Sequence, residues 1–437
     1  MQRKKRYVLV GIGSRSWTYT VPLVKTLSIE CELVGICDNN SGRLELCNQR
    51  IMEELHGRTV PAYLDTQFDQ MIEECRPDTV VVTSRDATHD KYVVRAMKLG
   101  CDVVCEKPMT IDEKKCQRII NAVNKTNRKL RVTFNCRYMP PMMQVKEILM
   151  SGAIGKIISV DLRWMLDVNH GASYFRRWHA EKKSSGGLLI HKASHHFDLV
   201  NWFLSANPIE VSAMGARQFY GDKSGMAEKL GLKGHAQRCL DCRYDKKCPF
   251  YADIRKDQMY LPNEKYDKYL PNRCVFGKGI DIEDTMNLVV SYDTGAFLSY
   301  SLNAFTPWEG FHFAFNGVKG RLEFDDIGLP IGGGKKLPEG QKPGAHIRLY
   351  PHFKPALSIK TKFGKGGHGG GDNALYRDLF TAHPPKDRLL RAANYASGAM
   401  SILIGVAGNK SIQTGKSIKI DSLVSGLPKP ELPPMSE

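Results

Sequence analysis

Through the first 135 residues, short apolar runs alternate with amphipathic stretches. RYVLVG (6–11), CELVGICD (31–38), DTVVVTS (78–84), CDVVCEK (101–107) and KLRVTFN (129–135) are apolar on successive positions. That is the pattern of strands buried on both faces. Between them, SGRLELCNQRIMEELHG (41–57) and THDKYVVRAMKLG (88–100) have helical periodicity, with Ser41 read as an N-cap and Gly57 and Gly100 as helix stops. This βαβα alternation predicts an α/β fold with a doubly wound parallel sheet. Further on the period changes to two. TMNLVVSYDTGAFLSYSLNAF alternates as a hairpin around Asp293-Thr294-Gly295, and FHFAFNGVKGRLEF (311–324) reads as a second hairpin.

A chain of 437 residues exceeds one ordinary core, so two domains are expected. The pattern divides it into 1–135, then 136–425 with a cysteine-containing insertion at about 220–280, then a Pro-rich tail, 426–437. Composition, 42% hydrophobic and 25% charged, is that of a globular protein. The apolar stretch AMSILIGVAG (399–408) is far shorter than the ~20 residues a membrane span needs. The basic RKKR runs directly into a strand with no secretory signal, so a cytoplasmic location is expected, with the 12 cysteines as thiols or metal ligands. Net charge is +17, but without clustered charge and aromatic platforms nucleic acid is not the expected partner. Residues 335–368 hold eight Lys/Arg against Glu339 alone, either as a solvated loop or as a rim that attracts an anionic substrate.

The first strand runs into GIGSRS (11–16), a G-x-G-x-x-G turn with Ser16 in the third place. Gly11 permits the tight turn, Gly13 admits a pyrophosphate to the backbone, and Ser14 and Arg15 stand beside it. Asp38, closing the second strand, suits a ribose 2′-hydroxyl and repels a 2′-phosphate, so NAD is preferred over NADP. Ser84 and His89 stand at another strand end and are further cofactor candidates. CEKPMT (105–110) ends the fifth strand, so Glu106 and Lys107 should face the same crevice, and Pro108 is a candidate for a cis peptide bond.

With these motifs in order, the sequence resembles the Gfo/Idh/MocA family of sugar and cyclitol oxidoreductases. The resemblance runs on through NCRYMPPMMQVKEILMSGAIGKI (135–157), the Gly186-Gly187, His195 and Asp198 block, and GAMSILIGVAGNKSIQTGKSI (398–418). It implies an N-terminal Rossmann domain and a C-terminal α+β domain with an open, mostly antiparallel sheet. One face of that sheet would help form the active site and the other would make contacts in a homodimer or homotetramer. It also implies a sugar or cyclitol substrate and a catalytic lysine, aspartate and histidine. Lys107 and His195 match two of the three positions, but His191 occupies that of the aspartate. A Lys107/His191/His195 set with Lys192 alongside holds mutually repelling cations, which favours neutral histidines and an anionic substrate. The base falls to His195 or Lys107, with His196 a bystander and Asp198 placed to orient His195.

WMLDVNHGASYFRRWH (164–179) adds His170, Tyr174, Arg176, Arg177, Trp178 and His179, aromatic faces and charged forks suited to sugar rings and hydroxyls. GHGGGD (367–372) adds His368 and Asp372 to the substrate candidates. Cys239, Cys242, Cys248 and Cys274 have a spacing that allows a structural zinc site. Three functions remain open. The first is an NAD-dependent oxidoreductase acting on a CH–OH group of a sugar, glycoside or cyclitol. The second is an NAD-dependent glycosidase acting by transient oxidation and elimination, and the third a non-catalytic sugar sensor.

Overall fold

Six parallel strands make the first sheet: β1 (Lys5–Val10), β2 (Cys31–Asp38), β3 (Ala62–Leu64), β4 (Thr79–Val82), β5 (Asp102–Cys105) and β6 (Leu130–Val132). Their order is β3-β2-β1-β4-β5-β6, with the strand order reversing beside β1. This doubly wound arrangement places a crevice beyond the carboxyl ends of β1 and β4. The computed structural model describes residues 3–328, 337, 339–340, 342–382, 384 and 386–436. Part of the basic stretch that begins at 335 therefore lies outside the described residues.

The expected strands are present, and β3 is an addition, its three residues too short to show a period. The helix Ser41–Leu55 is capped by Asn40 rather than Ser41, because the Asn40 side chain accepts the Arg43 N–H at 3.1 Å. It ends at Leu55, two residues before Gly57, with His56 itself in the left-handed region at φ 55°. The Lys107–Pro108 bond is cis, as the sequence suggested.

The second sheet has nine strands: β7 (Ile157–Asp167), β8 (Pro208–Ala216), β9 (Thr285–Tyr292), β10 (Phe297–Thr306), β11 (Gly310–Gly317), β12 (Gly320–Ile327), β13 (Gly344–Pro351), β14 (Leu357–Ile359) and β15 (Ile418–Lys419). They run in the order β14-β13-β12-β11-β7-β10-β9-β8-β15. The pairing is antiparallel throughout except for β7 with β10. Both predicted hairpins, β9–β10 and β11–β12, are present in register. The insertion falls between β8 and β9.

The helix Tyr395–Thr414 is apolar nearly all round and correspondingly buried. It packs on β8, on the helix Ser194–Leu204 and on β6 of the first domain. At Gly405 a β-carbon would lie 2.3 Å from the Leu189 carbonyl oxygen, so glycine alone allows this approach. Asn409 donates to the Gly186 carbonyl at 2.7 Å. The helix thereby fixes the chain that delivers His191. The Pro-rich tail starts beside the first domain, where Asn124 donates to the Gly426 carbonyl at 3.3 Å, and reaches the C-terminal domain, where Ser205 Oγ donates to the Pro433 carbonyl at 2.5 Å.

Candidate active site

A cleft of about 800 Å³ opens beyond the ends of β1, β4 and β5 and is closed on its far side by the second domain. At one end lies the glycine turn. Gly11 has φ 90° and touches the next strand end, since a β-carbon there would lie 2.4 Å from the Ser84 Cα. Gly13, Ser14, Arg15 and Ser84 line the cleft, whereas Ser16 turns its hydroxyl back to the Gly13 carbonyl at 2.7 Å and tightens the turn. Asp38 accepts the Ile12 N–H at 2.6 Å and the Arg43 guanidinium at 2.8 Å. Arg43 also pairs with Asp267 at 2.7 Å, so one buried cation lies between two carboxylates.

His89 borders the cleft, but both ring nitrogens face backbone carbonyls, Pro108 at 2.8 Å and Ser84 at 2.9 Å. Its polar atoms tie the β4 and β5 loops together. Glu106 is buried against Arg15 and the Tyr19 hydroxyl, the latter at 2.7 Å. Asp372 reaches the same arginine from the second domain, at 3.2 Å, and also accepts from Asn135 at 2.7 Å. His368 Nδ1 lies 2.8 Å from Asp372. Burial opposes ionisation of Asp372, but His368, Arg15 and Asn135 together hold its pKa well below the usual carboxylate range. Asp372 thus locks the two domains together, and His368 alone of this pair faces the cleft.

At the cleft centre Lys107 donates to the His191 carbonyl at 3.3 Å. His191 and His195 do not share one continuous helix. The short helix Leu188–His191 ends before Ser194–Leu204 begins, with Lys192 and Ala193 between them. Both histidines still line the cleft, with Lys192 and His179. Gly186 and Gly187, at φ 72° and 82°, make the turn that starts this segment. Asp198 does not orient His195. It is held in a bidentate pair by Arg137 at 2.7 and 2.8 Å, and His195 Nδ1 has no hydrogen-bond partner among the described residues.

The residue that sequence reasoning missed is Asp86. It follows β4, is buried, and lies 2.5 Å from His191 Nδ1. Burial raises its pKa against the pull of His89 and Lys107. Burial also lowers those of His191, His195, Lys107 and Lys192, and for the two histidines the nearby lysines add to the effect. Burial thus disfavours the charged forms of these groups and leaves a base-rich site. His196 stacks on Trp164 with ring centres 3.7 Å apart and meets the Tyr300 hydroxyl at 2.8 Å, which makes it a packed residue at the cleft wall.

Of the aromatic cluster, His170, Tyr174, Arg177, Trp178 and His179 line the cleft, while Arg176 turns back to the Ala172 carbonyl at 3.4 Å. His170 bridges Glu309 and the Tyr174 hydroxyl, each at 3.0 Å. Lys192 Nζ sits 5.3 Å above the Trp164 ring with no hydrogen-bond acceptor among the described residues. Trp164 Nε1 and His179 Nδ1 are also buried without partners among them. Each such orphan costs ~1–3 kcal/mol, so this wall is built to receive polar groups.

The four cysteines of the insertion require a correction. Cys239, Cys242, Cys248 and Cys274 line one small cavity together with His235, and Cys274 Sγ is 3.4 Å from His235 Nδ1. Among the described residues, however, no three His, Cys, Asp or Glu side chains converge to hold a metal ion. The cavity is walled largely by apolar groups, including Phe250 and Phe276. Burial raises the Cys248 thiol and pushes Cys274 up to about 11.

A glycine turn on a doubly wound sheet, with a lysine and histidines at the mouth of a second sheet domain, defines the two-domain architecture of a dinucleotide-dependent oxidoreductase. Family models agree along almost the whole chain. Residues 5–134 match the oxidoreductase family's NAD-binding Rossmann fold, and 146–420 its C-terminal alpha/beta domain. The chain belongs to the Gfo/Idh/MocA oxidoreductase family. It is 37% identical over 431 residues to YteT of Bacillus subtilis (strain 168), covering 96% of this chain and 98% of that one. It is 26% identical over 211 residues to the inositol 2-dehydrogenase/D-chiro-inositol 3-dehydrogenase of Lactiplantibacillus plantarum, covering 48% of this chain and 55% of that one. Among solved structures it resembles the WlbA dehydrogenase of Bordetella pertussis in complex with NADH and UDP-GlcNAcA. There the TM-score is 0.63 at 18% identity, over 95% of this chain and 99% of that one, a likeness of fold. No helix among the described residues is long and apolar enough to cross a membrane.

Proposed function

We propose that the protein is an NAD-dependent oxidoreductase acting on a CH–OH group of an acidic sugar, glycoside or cyclitol. The observation that carries this reading is the meeting of Lys107 with His191 and His195 in the cleft that begins at the Gly11–Ser16 turn. The residues present fit a nicotinamide dinucleotide. Gly13, Ser14 and Arg15 would face its pyrophosphate and Asp38 its ribose, with Ser84 and Glu106 beside them. When bound, that cofactor supplies the hydride acceptor. Arg43 is engaged by both Asp38 and Asp267, leaving a net negative pocket that favours NAD over NADP.

His191, held through Nδ1 by Asp86, presents Nε2 to take the hydroxyl proton, and Lys107 polarises the same oxygen as its charge develops. Lys192 and Arg177 receive an anionic group of the substrate, while Tyr174, Trp178 and His170 flank its ring. Transient oxidation followed by elimination is the second reading. It needs another base for a carbon-bound proton, and His195, with its unpartnered Nδ1, supplies one. The reaction belongs to the cytoplasm in either case. Met214, Val289 and Phe297 are exposed on the outer face of the nine-stranded sheet, and we assign the homodimer or homotetramer contact to that face.

The test is turnover on a panel of sugars, uronates, their glycosides and inositols with the purified protein and NAD. Net NADH formation supports oxidation, and aglycone release at constant NAD supports elimination. An inert protein that still binds both would favour a sensor. Lys107→Ala should abolish turnover with NAD affinity nearly intact, and unchanged turnover would sink the site.

A further inference from the structure

The insertion between β8 and β9 reaches out of its own domain. Its stretch from Asp257 to Tyr269 lies along the cofactor side of the cleft and touches the Rossmann domain at four places. The Tyr260 hydroxyl is 2.9 Å from Ser14 Oγ and accepts the Ser14 N–H at 3.3 Å, at the mouth of the glycine turn. The Asn40 amide donates to the Asn263 carbonyl at 2.9 Å. Gly42 makes room for that contact, since a β-carbon there would lie 1.9 Å from Asn263 Oδ1. Asp267 pairs with Arg43, whose guanidinium also binds Asp38, and both side chains of this pair are more than nine-tenths buried. Arg85, in the loop after β4, lies 4.7 Å above the Tyr269 ring.

The segment is also braced from its own side. Asp257 Oδ1 accepts the N–H groups of Met259 and Tyr260 at 2.8 and 2.7 Å. Arg238 pairs with Glu264, and Tyr260 packs edge-on against Tyr269. A loop that merely filled surface would scatter its contacts. These four instead fall on the glycine turn, the neighbours of Asp38 and the β4 loop, the three places that border a dinucleotide in this cleft.

We propose that Tyr260–Tyr269 is a clasp over the bound dinucleotide: Tyr260 meets its pyrophosphate, and Asn263 and Asp267 latch to Asn40 and Arg43 at the ribose end. The cofactor leaves only after these contacts break. The clasp rests on the dinucleotide reading of the cleft, and its test separates the two. Full-length protein is loaded with NADH, and release is followed as loss of energy transfer from tryptophan on dilution into excess NAD. Retention of nicotinamide through gel filtration is measured in parallel.

Tyr260→Phe removes one hydroxyl and keeps the ring, and Asp267→Ala opens the second latch. Each is expected to release NADH at least about tenfold faster than the parent, since losses at an interface fall mainly on dissociation. The melting temperature of cofactor-free Tyr260→Phe should match the parent's. Release at the parental rate from both variants overturns the clasp while leaving the cofactor site standing. Tighter NADH binding by Tyr260→Phe also overturns it, because the hydroxyl would then compete with the cofactor for the Ser14 N–H. A parent protein with no affinity for NAD or NADP would end both readings.

Discussion

His191 and Asp86 come from different domains, yet His191 Nδ1 lies 2.5 Å from Asp86 Oδ2. The family resemblance implies an aspartate at position 191. Here a histidine stands there, and a carboxylate reaches it from the loop after β4. A carboxylate at Nδ1 fixes which ring nitrogen carries the proton, leaving Nε2 free to accept one.

Asp86→Asn keeps the shape but offers an amide N–H to Nδ1, which favours the wrong tautomer. Turnover should fall by about a hundredfold or more, within the 10²–10⁴ range of positioned acid–base groups, with KM and NAD affinity little changed. Steady-state kinetics across pH check this, with the acid limb of kcat moving in the variant. An unchanged profile would assign the base elsewhere.

Cofactor choice turns on the charge around Arg43. Asp38→Ala removes one of its two carboxylate partners and releases a guanidinium for a 2′-phosphate. The preference for NAD should shrink by about tenfold or more, equivalent to ~1.4 kcal/mol for each factor of ten. Titrations of NADH and NADPH binding measure it, and a preserved ratio would remove Arg43 and Asp38 from the specificity argument.

Lys192 stands over Trp164 with its ammonium unpaired by any hydrogen-bond acceptor among the described residues. Lys192→Met keeps the aliphatic length and removes the charge. Discrimination of a hexuronate over its neutral hexose should fall by about ten- to a hundredfold, the value of a charged hydrogen bond of ~1.5–3 kcal/mol. Equal loss for both sugars would show a packing role only.

Much of the frame was legible because its signals are local. The βαβα runs, the Gly11–Ser16 turn, Glu106-Lys107-Pro108 and the His195 block each depend on spacing within a few residues. What stayed hidden depends on segments far apart in the chain. Asp86 sits three residues before His89 and reads as an acid at a helix start, and only domain packing brings it to His191. Asp198 has the right spacing to serve His195, but Arg137, 61 positions earlier, takes both of its oxygens. The cysteines likewise have a suggestive spacing, and their backbone leads them around an apolar cavity instead of onto one point. The clasp residues lie in an insertion without periodicity, where no pattern distinguishes Tyr260 from any other loop tyrosine.

Lys146 offers a test of stability that leaves the active site alone. Its side chain is fully buried and donates to the Phe203 carbonyl at 3.2 Å, Ser205 Oγ at 2.8 Å and Met435 Sδ at 3.2 Å. No carboxylate pairs with it among the described residues. Burial, with a smaller push from Arg137, lowers its pKa to about 6 from an ordinary value of 10.5. Below about pH 6 folded and unfolded chains both carry this proton. Between there and about 10.5 only the unfolded chain does, so this group makes stability rise with pH across that window. Lys146→Met removes the burden. The variant should melt at a higher temperature than the parent at pH 7, and the gap should narrow steadily towards pH 10. Melting curves of both proteins over that range decide it: parallel curves would mean that Lys146 keeps its proton in the fold and that its three acceptors outweigh burial.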